Sequence, residues 1–340
     1  MSQSSDLSQK KCEADNLIKL QQNIRHSTDI TRVRELSRLM PYKSIFGIVL
    51  SWIGITLAFM LVLRYRSFFG YAAAFMLIGC CQHALFISGH DAIHGLLHND
   101  KSVNRALTRW FIHGPMLLGF DDAQENHLEH HRLLGATEDP DRYIYSMENK
   151  NSKIKIIMFC AGLATFFRTV AKLTPFGRAS KDLKNKSSMA PAKKLFIEYL
   201  RSRLPSIILQ PLIIGAFWAL GLPIWSYIVL WIAPIYFMVF LPNEIRTFCE
   251  HAVLILPDAS ADRSRLITFK PSFLEALYFS PRNMSYHAEH HLWPTIPYYN
   301  LPRARSLIEA HKEITQETSY LARLLRFFIQ IPIPRSSENR

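Results

Sequence analysis

The sequence predicts an all-α integral membrane protein, with four transmembrane helices in two hairpins and a cytoplasmic helical cap. Three observations carry that prediction: four uncharged apolar runs, the short turns that pair them, and a one-sided distribution of basic residues. SIFGIVLSWIGITLAFMLVL (44–63) is twenty residues without a charge, enough to cross the hydrocarbon layer as a helix. FFGYAAAFMLIGCCQHALFISG (68–89) follows after four residues, a tight hairpin. PSIILQPLIIGAFWALGL (205–222) and IWSYIVLWIAPIYFMVFL (224–241) form the second hairpin around Pro223. Buried helices of a large soluble enzyme would not be expected to pair four such runs by turns this short.

Orientation follows from lysine and arginine. Residues 1–43 hold 8 of the 40, 91–204 hold 18 and 242–340 hold 12, whereas the turn 64–67 holds 2 and the turn between the last two spans none. The side carrying 38 of them is expected to be the cytoplasm, which places both termini there and predicts a bacterial inner (cell) membrane as the setting. The net charge of +13 then reads as topology and contact with membrane lipids. Nucleic acid is not expected as a partner, because the basic residues are spread along loops without a binding motif.

The chain divides into an N-terminal segment (1–43), a membrane domain (44–305) and a C-terminal helical tail (306–340). The polar N-terminus lacks the apolar core of a signal peptide. RVRELSRLM (32–40) and SYLARLLRFFIQI (319–331) mix basic and apolar residues, as helices lying on a membrane face do. Cys12, Cys80, Cys81, Cys160 and Cys249 form no C-x-x-C pair and no disulfide framework.

This topology makes the histidines legible. GHDAIH (89–94) lies where the second span leaves the membrane, and a continuing helix puts His90 and His94 on one face. His127, His130 and His131 in HLEHH stand at i, i+3 and i+4, and His287, His290 and His291 in HAEHH repeat the pattern. Three boxes on one membrane side, presenting eight imidazoles, predict a metal site. Zinc accepts four ligands and octahedral ions six, so two metals are expected. Imidazole suits iron, copper, nickel or zinc, and ligand type alone does not choose among them. Position favours iron: apolar helices beneath the site could house a hydrocarbon chain, whose inert C–H bonds need a redox-active metal. Glu129 and Glu289, off the ligand face, are expected to orient imidazoles or pair with arginines such as Arg132; Asp139 and Asp141 are expected to shape a turn around Pro140.

HxxxH at 90–94 and HxxHH at 127–131 and 287–291 resemble the three histidine boxes of the membrane di-iron fatty acid desaturase and hydroxylase superfamily. The resemblance covers roughly residues 44–305. NEIRTFCEHAV (243–253) and NMSYHAEHHLWPTIPYYNLP (283–302) look like bacterial fatty-acyl desaturases, and HLEHHRLLGATEDPD (127–141) is similar to carotenoid ketolases. It implies a ninth ligand, His251, and places Asn283 where some relatives use an asparagine near one iron. His98 and Glu250 are candidates for a supporting layer, His98 by helical spacing and Glu250 by adjacency alone.

The resemblance also implies two iron ions, O2 as co-substrate and a long-chain lipid substrate. The most favoured reaction is fatty acyl desaturation. Hydroxylation, decarboxylation to a terminal alkene, and carotenoid ketolase or hydroxylase chemistry are the alternatives. Neither a His-Pro-Gly-Gly motif nor a cysteine cluster is present, so a separate electron donor such as ferredoxin is expected to dock on the basic face. A zinc-dependent membrane lipid hydrolase would leave most of these histidines surplus. A metal transporter would want polar groups at mid-membrane, where only Gln82, His83 and Gln210 stand.

Overall fold

The computed structural model describes residues 2–148, 150–172, 192–253 and 265–330. In chain order its principal helices are α1 (Ser2–Ser27), α2 (Ile30–Leu36), α3 (Pro41–Arg64), α4 (Phe68–Ile93), α5 (Lys101–Thr108) and α6 (Phe120–Leu133). They continue with α7 (Lys153–Cys160), α8 (Leu163–Lys172), α9 (Ala192–Ala219) and α10 (Trp225–His251). The last are α11 (Phe273–Phe279), α12 (His287–Leu292) and α13 (Tyr320–Gln330). Strands β1 (Ile267–Phe269) and β2 (Thr315–Glu317) pair in parallel, Ile267 opposite Thr315. The expected C-terminal tail lies outside the described residues beyond Gln330.

Four helices are long and apolar enough to cross a membrane: Pro41–Arg64, Phe68–Ile93, Phe196–Ala219 and Trp225–His251. The expected runs fall on them, but the helices are longer than the uncharged stretches. Pro41 starts α3 because a missing N–H costs nothing in a first helical turn. The third helix begins well before Pro205 and carries both Pro205 and Pro211 inside it. The fourth absorbs Pro234 between two π-helical turns, Ile228–Ile232 and Ile235–Phe240, and runs on to His251. His251, expected about ten residues past the end of the last apolar run, is thus the final residue of that same helix.

The chain forms two compact units. One, Met40–Glu125 with Gly162–Leu241, contains most of the apolar helix surface. Ile55, Ala58, Val62, Ile78, Leu85, Phe217, Leu230 and Trp231 are buried in its core, while Phe46, Leu50, Ile53, Leu57 and Met60 leave one side of α3 apolar and exposed. Within lipid every polar group needs an internal partner. Accordingly the Gln82 amide donates to the Trp231 carbonyl at 3.2 Å, and the Gln210 amide donates to the carbonyls of Gly114 and Pro115 at 3.2 and 3.0 Å. Both glutamines therefore bind backbone and hold helices together, as interhelical polar groups do. His83 is buried in α4, its ring 6.4 Å from Phe86.

Gly89, one residue before His90, sits where α4 meets the π-turn Arg109–His113. A Cβ there would lie 2.7 Å from His113 Nε2 and 3.1 Å from Ile112 Cγ2. Gly89→Ala is expected to destabilise the protein by about 1–3 kcal/mol through overpacking, read as a lowered thermal midpoint.

The other unit comprises Met1–Leu39, Asn126–Ala161 and Pro242–Arg340. α2 buries its apolar residues Val33 and Leu36 in protein, and Asn300 donates to the Leu36 carbonyl at 2.7 Å. α13 has two faces. Tyr320, Arg323 and Phe327 are buried, and Leu321, Leu325 and Ile329 are exposed.

Candidate metal centre

Seven of the predicted ligands lie in this second unit, and they fall into two groups. His131 Nε2 is 3.0 Å from His127 Nε2 and 3.0 Å from His290 Nε2. Separately, His251 Nε2 is 3.3 Å from His130 Nε2 and 2.9 Å from His287 Nε2, and His287 Nε2 is 3.0 Å from His291 Nε2. Each HxxHH motif therefore divides. The i, i+4 pair serves one group and the i+3 histidine crosses to the other, and the two motifs do so in opposite senses. An α-helix turns about 100° per residue, so positions i+3 and i+4 lie on either side of i and aim at different points. Both motifs thus contribute to both groups.

Hydrogen bonds at the opposite ring nitrogens fix how these imidazoles are used. His251 Nδ1 donates to the Arg265 carbonyl at 3.1 Å, and His130 Nδ1 lies 3.0 Å from Asp139 Oδ1. With Nδ1 donating in both rings, the two Nε2 lone pairs face each other across 3.3 Å. A proton on His130 Nε2 would relieve one such contact; a cation would satisfy the whole group. Burial holds His291 well below the ordinary histidine range, aided by the neighbouring histidines, so it is neutral as a ligand must be. For His130, burial opposes protonation, but the hydrogen bond and charge of Asp139 outweigh it and raise the pKa. All-imidazole donors at this spacing fit a metal such as iron, copper, nickel or zinc and suit magnesium or calcium poorly.

The supporting layer is richer than the sequence suggested. Asp139, expected only to shape a turn, accepts from the Asp141 backbone N–H at 2.8 Å and is also the buried carboxylate that orients His130. Tyr145 donates its hydroxyl to the same carboxylate. Asp139→Asn is expected to weaken metal binding about 10–100-fold, because an amide can present an N–H to the His130 ring and disturb its tautomer. Metal content across a chelator titration would check this. Glu250 faces His287, Oε2 to Nδ1 at 3.5 Å, and is held by Arg246 at 2.9 Å and the Tyr320 hydroxyl at 3.0 Å. Glu289 is buried and paired with Arg305 at 3.4 Å, where Arg132 was the expected partner; Glu129 stays half-exposed.

Two arginines escaped sequence reasoning. Arg323, fully buried on α13, donates to the carbonyls of Cys249 and Ala252 at 2.7 and 2.9 Å. It thereby closes the end of α10 that carries Glu250 and His251. Arg25 on α1 does the same for α12, reaching the carbonyls of Leu292 and His291 at 2.7 and 3.0 Å. Both satisfy helix-terminal acceptors that would otherwise be orphaned. Only the basic character of those segments was visible beforehand.

The remaining predicted residues are placed as follows. His90 is buried in the last turn of α4 and His94 caps it, with ring centroids 5.5 Å apart. His98 Nδ1 accepts from the Asp100 backbone N–H at 3.0 Å, a local turn contact. Asn283 adopts a positive φ of 60° and donates its amide to the Tyr298 carbonyl at 3.2 Å. His113 is buried against Phe120, its ring 5.8 Å away.

A helical protein with four helices long and apolar enough to cross a membrane, and two groups of facing imidazoles that could hold metal, has the makings of a membrane-bound metal centre. A fatty acid desaturase profile matches residues 66–319, and the chain belongs to that family. It is 22% identical over 257 residues to an sn-1 acyl-lipid omega-3 desaturase (ferredoxin) from Synechocystis, covering 72% of this chain and 68% of that one. It is 23% identical over 238 residues to a protein of the same description from Nostoc, covering 66% and 64%. The protein is thus a desaturase-like oxidoreductase. The hydrolase and transporter readings do not survive this membership.

Proposed function

We propose that the protein introduces a double bond into an acyl chain of a membrane lipid, using O2 and electrons delivered by a separate ferredoxin. Two irons would be held by His90, His94, His127, His130, His131, His251, His287, His290 and His291. The observation that carries this reading is the pair of Nε2 clusters in which Nδ1 partners leave lone pairs pointing at one another. When bound, the irons with oxygen would supply the oxidising power to remove hydrogen from an unactivated carbon. The chain's own part is positional. Asp139 and the Arg265 carbonyl hold His130 and His251 in the metal-binding tautomer, and Glu250 faces the Nδ1 of His287.

Support for a lipid-linked acyl substrate and for ferredoxin comes from the names of the two relatives. The one-sided distribution of lysine and arginine supports placing both termini and the histidines on the cytoplasmic side of a cell membrane. That basic face would suit an acidic electron carrier. Mass spectrometry of lipids and volatile hydrocarbons from a host expressing the protein or its His290→Ala variant tests the reaction. A wild-type-only lipid lacking two hydrogens is expected. An added oxygen would transfer the assignment to hydroxylation, and a hydrocarbon one carbon short to decarboxylation. The donor is tested separately: failure of reduced ferredoxin where another carrier supports turnover would remove it.

A further inference from the structure

The unit holding most of the apolar helix surface contains a cavity of about 270 Å³ that the proposed reaction does not use. Its lining is Arg105, Arg109, Asp121, Glu198, Arg201 and Ser202. Two segments supply the cations. α5 and the π-turn after it carry Arg105 and Arg109, and the early part of α9 carries Arg201. Arg105 is paired with Asp121. Arg109 ties the two walls together by donating to the Arg201 carbonyl at 2.6 Å, while its buried Nε has no hydrogen-bond partner. Asp121 offsets Arg105, and Glu198 offsets only one of the other two guanidinium groups. The cavity therefore keeps a net positive charge.

The level of this cavity along the helices identifies the occupant. Arg201 and Arg203 are the last charges before the uncharged stretch that starts at Leu204. On the other wall, Arg109 is followed at once by Trp110 and Phe111, both exposed apolar rings. Guanidinium groups bordering an apolar helix surface, with an aromatic pair beside them, stand at headgroup depth. Guanidinium is also the side chain best shaped to bind phosphate oxygens through paired N–H donors.

We propose that this cavity binds the phosphate group of an anionic phospholipid. The anion would sit between the guanidinium groups of Arg109 and Arg201, while the acyl chains lie along the exposed apolar faces of the neighbouring helices. The assignment concerns lipid binding and stands apart from the reaction at the histidines.

Binding to the full-length protein in neutral detergent, followed by native mass spectrometry and thermal shift, tests it. Three probes are compared: dioleoyl phosphatidylglycerol, dioleoyl phosphatidylcholine and inorganic phosphate. The wild type is expected to bind phosphatidylglycerol about tenfold or more tightly than phosphatidylcholine. The double variant R109Q/R201Q should lose about tenfold in phosphatidylglycerol affinity with little change for phosphatidylcholine. E198Q, which removes the opposing charge, should bind phosphatidylglycerol more tightly than wild type, and it decides the matter if the double variant does not fold. Inorganic phosphate matching phosphatidylglycerol would mean a free-anion site and overturn the lipid assignment. So would equal binding of both lipids by wild type, or an E198Q affinity no higher than wild type.

Discussion

On the proposed di-iron reading, His290→Ala is expected to lower bound iron from about two per chain to well below that and to remove the lipid product to background, whereas His26→Ala is expected to leave both unchanged. His290 is fully buried, and its Nε2 stands 3.0 Å from that of His131. Alanine removes a donor from a group whose other members among the described residues of this unit are His127 and His131. It also leaves a hole in a buried polar site that water can enter but cannot fill with an imidazole lone pair. His26 lies on the exposed side of α1 and offers the matched control. Metal analysis of the purified variants, together with lipid mass spectrometry, reads both effects; full iron with no product would show that His290 acts on substrate and not on metal.

Arg323→Met should be the most damaging change outside the histidines. The guanidinium is fully buried, with two bonds to the Cys249 and Ala252 carbonyls and a third to Glu317 at 2.9 Å. Methionine conserves much of the volume but leaves two buried acceptors without partners, at about 1–3 kcal/mol each. Glu317 retains Arg326, so the carboxylate is not stranded. A loss of about 3–5 kcal/mol is expected, seen as a large drop in the thermal midpoint. Because the affected helix end carries His251, the surviving folded protein should also bind metal about 10–100-fold more weakly. Arg323→Lys, which can serve at most part of this fork, should fall between. Destabilisation with unchanged metal affinity would show that α13 is structural only.

The membrane helices were legible in the sequence because lipid imposes a length and a lack of charge that few other environments require. The site was legible for a similar reason: histidines spaced to share a helix side stand out in a chain with 14 of them. What could not be read was how each motif splits. Position i+3 against i+4 is a difference of about 100°, and which side meets which metal depends on helix packing. Asp139 was hidden because nine residues and a turn separate it from His130. Arg25 and Arg323 were hidden by distance, 267 and 74 residues from Leu292 and Cys249, and by resembling ordinary basic residues of amphipathic helices. At 32–40 the sequence did not show what covers Val33 and Leu36, because an apolar stripe says that a face is covered without saying by what.

The reciprocal sharing of the two HxxHH motifs has a mechanical consequence. Neither α6 nor α12 serves one group of imidazoles alone. Rolling either helix by a few degrees would advance donors toward one group while withdrawing a donor from the other. With metal in both groups, as proposed, filling the first would restrain both helices and pre-set the second, and a metal titration should show an empty form and a doubly filled form with few singly filled molecules between. Two copies of one short word, crossed over, make a lock that closes in a single movement.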